Sequence, residues 1–265
     1  MTFDQVAPGP LGLADVHGLS DTGTVRAHNE DCFLIDRALE LVAVADGMGG
    51  HRAGARASAG ALAALQACLA TQPDPTAIAP SDPDATAVNQ RWRHAVALGQ
   101  AVERANAALY AENRQHGHLD GTGMGCTLTG IQVLPALAAF TAFHVGDSRL
   151  YRYRDGVLAQ LTRDQTAYQL ALESGAPGAL PPQNLLLQAV GPAALVTPEI
   201  AMHDARRHDV LLLCSDGLHG WVPHGELEQT LAEPRAPLAA LCATLIDLAK
   251  QHGSRDNITA LLARF

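Results

Sequence analysis

Five aspartates border short apolar runs of strand length, which is an unusual setting for a carboxylate. Aspartate is a poor strand residue, and burying its charge without a partner is costly. A single aspartate of this kind is most simply a turn former. Five of them at the ends of strand-length runs instead predict a common rim where strand ends meet. The five residues are Asp31, Asp46, Asp147, Asp216 and Asp256.

Carboxylates gathered at one rim repel each other, and a divalent cation removes that repulsion. Glycines beside several of these aspartates would let backbone carbonyls approach such an ion. Hard oxygen ligands, with no histidine pair at zinc spacing, favour Mg²⁺ or Mn²⁺ over Zn²⁺. The five cysteines are odd in number and show no CxxC spacing, which indicates buried, reduced thiols rather than ligands.

Hydrophobic spacing predicts the elements that carry these residues. Helical periodicity covers the alanine-rich stretches 52–70 and 91–113, and a third helix is expected at 236–251. The stretch 72–90 has four prolines and little periodicity, which predicts an exposed, flexible loop. Asp155-Gly156 marks the tip of a hairpin. The strand-length runs are 32–36, 39–45, 126–134, 137–145, 149–154, 209–215 and 257–265.

The order of these elements indicates the fold class. Strands and helices do not alternate regularly, so a doubly wound parallel sheet is not favoured. Helices grouped between runs of strands fit layered α+β packing. No internal repeat or low-complexity segment interrupts the chain, which predicts one domain over residues 1–265.

Composition limits the classes of partner. The 265-residue chain has 27 Asp and Glu against 18 Lys and Arg, a formal net charge of −9, and a single lysine, Lys250. A chain without a basic patch is disfavoured as a nucleic-acid binder. The N-terminus lacks a basic start followed by an apolar run, and no stretch reaches the roughly 20 apolar residues that span a bilayer. We therefore expect no membrane association and a cytoplasmic location.

Seven blocks of sequence, in order along nearly the whole chain, resemble the bacterial branch of the metal-dependent protein phosphatases, the protein phosphatase 2C-like (PPM) family. This resemblance implies a four-layer α-β-β-α sandwich, with two central antiparallel sheets flanked by helix pairs. It also implies a centre of two Mn²⁺ or Mg²⁺ ions at one end. The blocks are SDTGTVRAHNED (20–31), VAVADGMGGHRAGARAS (42–58), GTGMGCTLTG (121–130), HVGDSRLYRYRDG (144–156), LTRDQT (161–166), LLLCSDGLHGWV (211–222) and GSRDNITALL (253–262).

The resemblance implies a role for each acid. Asp46 would bridge both metal ions, and the Gly47 carbonyl would bind one of them. Asp216 and Asp256 would hold the other ion. Asp147 matches the acid that, together with Asp216, holds a third and weaker ion in bacterial members.

Further roles follow from the same resemblance. Arg26 matches the arginine that grips the substrate phosphate, and its planar fork suits two phosphoryl oxygens. Asp31 would order metal-bound water, with Glu30 as a possible support. Eukaryotic relatives carry a histidine, a proposed general acid, where this chain has Met48. His51 and Asp147, the latter through water on a third ion, are the two candidates to replace it.

The implied function is hydrolysis of phosphoserine and phosphothreonine in proteins by a metal-bridging hydroxide, in opposition to a bacterial Ser/Thr kinase. We expect a monomer. The alternatives are a catalytically weak, regulatory phosphoprotein-binding member and a hydrolase of small phosphoesters.

The chain departs from its relatives at two places. Gln165 stands where relatives usually have histidine, and residues 174–191 resemble a flap beside the active site that is shorter than usual. His28 and His144 are interpreted as packing residues.

Overall fold

The computed structural model describes residues 11–50, 52–71, 87–175, 178–233 and 236–265. The strands in these ranges are β1 (Asp15–Asp21), β2 (Asp31–Asp36), β3 (Leu41–Met48), β4 (Gly125–Cys126), β5 (Leu128–Leu134), β6 (Ala139–Val145), β7 (Arg149–Arg154), β8 (Val157–Gln160), β9 (Glu199–Asp204), β10 (Val210–Cys214) and β11 (Ile258–Arg264). The helices are α1 (Arg52–Thr71), α2 (Ala87–Gln115), α3 (Ala167–Ser174), α4 (Asp216–His219), α5 (His224–Leu231) and α6 (Leu238–Gln251).

The strands form two antiparallel sheets. One has the order β1-β11-β10-β7-β8, and the other has the order β2-β3-β5-β6-β9, with the short β4 paired to β3. The chain crosses between the sheets at several turns, including the turn from β6 to β7. The two-sheet antiparallel architecture confirms the predicted α+β class.

The alternation of side chains along β3 shows how the layers stack. Leu41, Ala43 and Ala45 belong to the apolar cluster that α1 and α2 form with this sheet. Val42 and Val44 point the other way, into the cluster between the two sheets. Successive strand side chains face opposite sides of a sheet, so one strand of small and branched residues serves two cores.

Strand β10 does the same in the other sheet. Leu212 and Cys214 pack with apolar residues of α4, α5 and α6, while Leu211 and Leu213 lie between the sheets. The layers are therefore helices, sheet, sheet and helices, which confirms the predicted sandwich. The ends of its strands are left to form the rim that the sequence predicts.

Most element boundaries match the sequence prediction. The hairpin tip is confirmed, since Asp155 and Gly156 have φ of 53° and 85°, as a two-residue type I′ turn requires. The predicted helix at 91–113 begins earlier, at Ala87, because no proline or glycine stops it at 87–90. Those four residues are therefore helical rather than loop, and residues 72–86 lie outside the described part. Among the described helices, none combines the length and hydropathy needed to cross a membrane.

A buried histidine closes the end of β6. The side chain of His144 is 1% exposed. Its Nδ1 lies 2.8 Å from the Thr129 hydroxyl, and its Nε2 lies 3.0 Å from the Arg163 carbonyl oxygen. Because a carbonyl only accepts, Nε2 carries the hydrogen. Burial lowers the pKa of His144 to about 4, so this ring is a neutral packing residue.

We expect His144 to reduce stability in acid. The folded pKa lies below the unfolded value of roughly 6.5, so the stability tied to the neutral ring is complete above that pH and is lost as pH falls toward 4. Between pH 7 and 4.5 the free energy of unfolding should fall by about 2 kcal/mol less in His144→Gln than in the wild type. Urea denaturation at both pH values measures this. The exposed His118→Gln is the control, and equal pH slopes in wild type and His144→Gln would contradict the assignment.

Candidate active site

Asp31 and Asp46 are directly opposite each other on neighbouring strands. Asp31 begins β2 and Asp46 lies near the end of β3, and the two residues are cross-strand partners. The Asp46 N–H donates to the Thr127 hydroxyl oxygen at 2.9 Å, which fixes the end of β3 against β5. Two carboxylates in this register destabilise a sheet unless a further group compensates their charge.

Asp31 also links the two sheets. Its Oδ2 accepts hydrogen bonds from the hydroxyls of Ser215 and Thr259, both at 2.7 Å. Thr259 lies in β11 of the opposite sheet, and Ser215 directly follows β10 of that sheet. The Oδ1 of Asp31 is buried and has no hydrogen-bond partner among the described residues. Burial raises the pKa of Asp31 to about 6, the two hydroxyls lower it, and the charges of Asp216 and Asp256 raise it further. One oxygen is therefore fixed and the other is available for a ligand.

Asp216 and Asp256 lie at the ends of adjacent strands. Asp216 follows β10 as the first residue of α4, and Asp256 precedes β11 by two residues. A Cβ on Gly217 would lie 1.9 Å from the Asn257 carbonyl oxygen, so only glycine lets these segments approach. The Asp216 Oδ1 is buried without a hydrogen-bond partner in the described ranges. Burial, followed by the charge of Asp256, raises the pKa of Asp216.

The same steric logic applies at Gly47, where the sequence predicts a backbone ligand. A Cβ there would lie 2.2 Å from the Gly54 carbonyl oxygen in α1. The Gly47 N–H donates to the Glu30 carbonyl at 3.2 Å. Glycine at this position therefore lets α1 begin directly against the end of β3.

Asp147 lies on the turn where the chain passes from β6 in one sheet to β7 in the other. Its side chain is 8% exposed. Burial raises the pKa of Asp147 to about 7, with further contributions from the charges of Asp216 and Asp164. Its backbone carbonyl accepts a hydrogen bond from Nε2 of His219, at 2.9 Å, which fastens the turn to α4.

The five aspartates form one electrostatic cluster. Burial raises the pKa of Asp46 well above its usual range, and the charges of the other four aspartates each raise it further. A side-chain hydrogen bond also joins Asp216 to Asp46. The structure thus brings together side chains from both sheets and from five separate turns or strand ends, as the rim predicted from the sequence requires.

The three remaining predicted residues have different positions. Arg26, in the loop between β1 and β2, donates from Nη2 to Asp256 Oδ2 at 2.6 Å, and its side chain is 51% exposed. That hydrogen bond is the main reason why the pKa of Arg26 is raised. Glu30 has a buried Oε1 with no hydrogen-bond partner among the described residues, beside Gly54. His51 lies outside the described residues.

Sequence reasoning missed the residue that orders the Arg26 loop. Asn257 is 4% exposed, and its Nδ2 donates to the carbonyls of Thr22 and His28 at 3.0 and 2.9 Å. Its Oδ1 accepts the Glu30 N–H at 2.9 Å. An asparagine directly before the last apolar run was the available signal, because a buried amide must find several partners. Ser215, Thr259 and Thr127 were also missed.

A cleft of about 390 Å³ opens beside the cluster. Asp147, Asp216 and Trp221 are among the residues that line it. Gln183 and Asn184, from the predicted flap, also line it.

These residues fit a divalent cation by the chemistry of their donors. Five carboxylates share one rim, and two of their buried oxygens, Asp31 Oδ1 and Asp216 Oδ1, lack hydrogen-bond partners in the described ranges. Burial and the charges of the neighbouring carboxylates raise the pKa of Asp46, as a divalent cation at this rim would reverse. Oxygen donors of this kind suit Mg²⁺ and Mn²⁺. Within the described residues, no three His, Cys, Asp or Glu side chains already form a group that could hold an ion.

Comparison with known proteins places this site in a family. The model of the family described as Protein phosphatase 2C matches residues 24–263. The chain belongs to the protein phosphatase 2C family. Among protein phosphatase 2C relatives, the Listeria innocua serine/threonine phosphatase stp is 34% identical over 253 residues, which is 92% of each chain.

Two further matches concern PstP. The Mycobacterium tuberculosis serine/threonine protein phosphatase PstP is 35% identical over 249 residues, covering 92% of this chain but 43% of PstP. This protein phosphatase 2C chain therefore spans less than half the length of that relative. A crystal structure of the PstP catalytic domain in complex with two manganese ions has a TM-score of 0.75 and 34% identity, covering 94% of this chain and 97% of that one.

Proposed function

We propose that this protein hydrolyses phosphoserine and phosphothreonine esters in proteins, with Mn²⁺ or Mg²⁺ as its cofactor. The observation that carries the proposal is the convergence of five aspartates and Arg26 at one rim of a protein phosphatase 2C fold. The protein's relatives stp of Listeria innocua and PstP of Mycobacterium tuberculosis are named serine/threonine phosphatases. The physiological substrates would be phosphoproteins made by a Ser/Thr kinase.

Four aspartates would hold the ions. Asp46 lies at the centre of the cluster, with Gly47 next to it, and would contact two ions. Asp216 and Asp256 lie at adjacent strand ends and would both bind the second of these ions. Asp147 would hold a third ion together with Asp216. When bound, such ions lower the pKa of coordinated water and screen the phosphoryl oxygens.

Other residues of the chain would orient water and substrate. Asp31, with Oδ2 held by two hydroxyls, can accept a hydrogen bond from the attacking water at its unpartnered Oδ1. Arg26 can turn from Asp256 to the substrate, where its two terminal N–H groups would bind two phosphoryl oxygens. Its partly exposed position at the rim leaves room for that exchange.

The direct test is hydrolysis of a phosphothreonine peptide by the purified protein. We expect turnover with Mn²⁺, a complete loss after treatment with EDTA, and recovery on addition of Mn²⁺. Activity that survives EDTA, or no activity with Mn²⁺ or Mg²⁺, would reject the proposal. Parallel rates on p-nitrophenyl phosphate compare a protein substrate with a small ester.

Asp147→Ala separates the third ion from the other two. We expect turnover to fall about 10-fold, the loss of one charged contact, while titration calorimetry still detects two Mn²⁺ ions at the remaining aspartates. The exposed Asp247→Ala, on α6, is the matched control and should keep wild-type turnover. Unchanged activity of Asp147→Ala would count against the role of Asp147.

A further inference from the structure

Gln165 is a buried side chain between the acid cluster and the cleft wall. It lies in the loop between β8 and α3 and is 8% exposed. Its side-chain and backbone groups make hydrogen bonds to two segments that are distant from each other in sequence. One segment is the turn that carries Asp147, and the other is the chain after α3 that forms one wall of the cleft.

The bonds to the turn hold the residue before Asp147. The Gly146 N–H donates to Gln165 Oε1 at 2.9 Å, and the Gln165 N–H donates to the Gly146 carbonyl at 2.8 Å. Gln165 Nε2 also lies 3.4 Å from the His144 carbonyl. Gly146 has a φ of 104° and no room for a side chain, since a Cβ would lie 2.7 Å from Thr127. Gln165 therefore holds the turn on the side of Gly146, while His219 holds it at the Asp147 carbonyl.

One bond to the cleft wall uses the same Oε1 oxygen, and a second uses the backbone carbonyl of Gln165. Gln188 Nε2 donates to Gln165 Oε1 at 2.9 Å, and the Leu187 N–H donates to the Gln165 carbonyl at 2.8 Å. The Gln188 amide is itself fixed by both backbone groups of Thr197, at 2.8 and 3.1 Å. Gln165 Oε1 thus accepts one hydrogen from the turn and one from the wall.

The wall segment faces the cleft only a few residues earlier in the chain. Gln183 and Asn184 line the cleft together with Asp147. The Ala167 N–H donates to the Leu185 carbonyl at 2.8 Å, so the chain from the cleft wall to Leu187 is tied to the start of α3. A ligand in the cleft that displaces residues 183–188 would therefore also displace Gln165.

We propose that Gln165 is a positioning residue that couples residues 183–188 of the cleft wall to the turn that places Asp147. The inference rests on the proposed function, in which Asp147 holds a cation and the cleft receives the substrate peptide. Because both segments bond to one oxygen, displacement of either weakens the hold on the other. Binding of peptide in the cleft and binding of the cation at Asp147 then favour each other, as linkage requires.

An amide side chain is suited to this position for a chemical reason. An amide oxygen has two lone pairs and accepts two N–H groups, whereas a histidine ring nitrogen accepts one. Gln165→His can therefore keep the bond to the Gly146 N–H while losing the bond from Gln188. This substitution separates placement of the turn from coupling to the wall.

The experiment compares Gln165→Met, Gln165→His and Gln188→Met with wild type. Gln66→Met is the control, since its amide bonds Asp36 at 2.7 Å, at the opposite end of β2 from Asp31. The first readout is amide hydrogen exchange at Gly146 in the metal-free protein. We expect exchange to be roughly 10-fold faster in Gln165→Met and several-fold faster in Gln188→Met, although Gln188 does not contact Gly146.

The second readout is the Mn²⁺ concentration for half-maximal turnover, measured with a phosphopeptide and with p-nitrophenyl phosphate. In the wild type we expect half-maximal turnover of the peptide at a several-fold lower Mn²⁺ concentration than half-maximal turnover of the small ester. This difference should vanish in Gln165→Met, Gln165→His and Gln188→Met. The control Gln66→Met should retain it. Wild-type values in Gln188→Met for both readouts would overturn the coupling. If neither the wild type nor any variant hydrolyses the peptide, the proposed function is wrong. The amide exchange rates at Gly146 then test the coupling by themselves.

Discussion

Asp46→Asn is expected to abolish phosphoester hydrolysis and, at the same time, to stabilise the metal-free protein. Burial and the charges of the other four aspartates raise the pKa of Asp46 well above its usual range. A carboxyl whose folded pKa exceeds the unfolded value loses stability as pH rises, so at neutral pH this residue destabilises the metal-free fold. Asparagine has nearly the same shape without the charge. It removes that cost but also removes the ligand expected to contact two ions.

We expect turnover to fall on the order of 10³-fold or more, because ions in such sites contribute several kcal/mol to charge stabilisation. The melting temperature of the metal-free protein should rise by about 3 °C or more, which corresponds to roughly 1 kcal/mol at this chain length. The increase in melting temperature that Mn²⁺ is expected to produce in the wild type should be absent in Asp46→Asn. Phosphopeptide assays and thermal unfolding with EDTA or Mn²⁺ measure these effects.

Asp36→Asn is the matched control at the other end of β2. Asp36 accepts a hydrogen bond from Gln66, which is the main cause of its lowered pKa. Its replacement should leave activity unchanged and should not raise the melting temperature. A destabilised Asp46→Asn would show that the Asp46 carboxylate is compensated within the protein itself, and it would remove the electrostatic argument for a cation site.

The acid rim could be predicted from the sequence because two local patterns coincide. Apolar alternation marks a strand such as β3, and an aspartate at its end, such as Asp46, cannot continue the buried run. Antiparallel strands of similar length bring such ends together at one rim. The contacts that hold Asp31 could not be predicted, because Ser215 and Thr259 reach it from the other sheet. Hydrogen bonds of that kind depend on how the two sheets pack against each other, and a local sequence pattern does not predict this packing.

The two strands that sequence analysis missed are both at sheet edges. β1 and β9 each form the end of a sheet, and their sequences, DVHGLSD and EIAMHD, carry polar residues at several positions. Edge strands are often polar, which limits pairing with other chains but also removes the apolar run that reveals a strand. Helix α3 was missed despite a usable signal. Thr166 caps it by accepting the Gln169 N–H at 3.1 Å, in a T-x-x-Q pattern.

Arg26→Lys tests whether the shape of the guanidinium matters as well as its charge. Lysine keeps the positive charge but cannot present two parallel N–H groups to two phosphoryl oxygens. We expect kcat/KM for a phosphopeptide to fall roughly 10- to 100-fold, the equivalent of losing one charged hydrogen bond. Arg26→Ala should lose more, because it removes the charge too. Steady-state kinetics at saturating Mn²⁺ measure both variants.

Metal affinity distinguishes a role in substrate binding from a structural one. Arg26 pairs with Asp256 at 2.6 Å, so its removal frees a carboxylate that is expected to hold an ion. Mn²⁺ affinity in Arg26→Ala, measured by calorimetry, should therefore stay at the wild-type value or increase while kcat/KM falls. Arg255→Ala is the control, since this exposed neighbour of Asp256 should change neither quantity. A parallel loss of Mn²⁺ affinity and activity in Arg26→Ala would mean that Arg26 orders the site rather than binding phosphate.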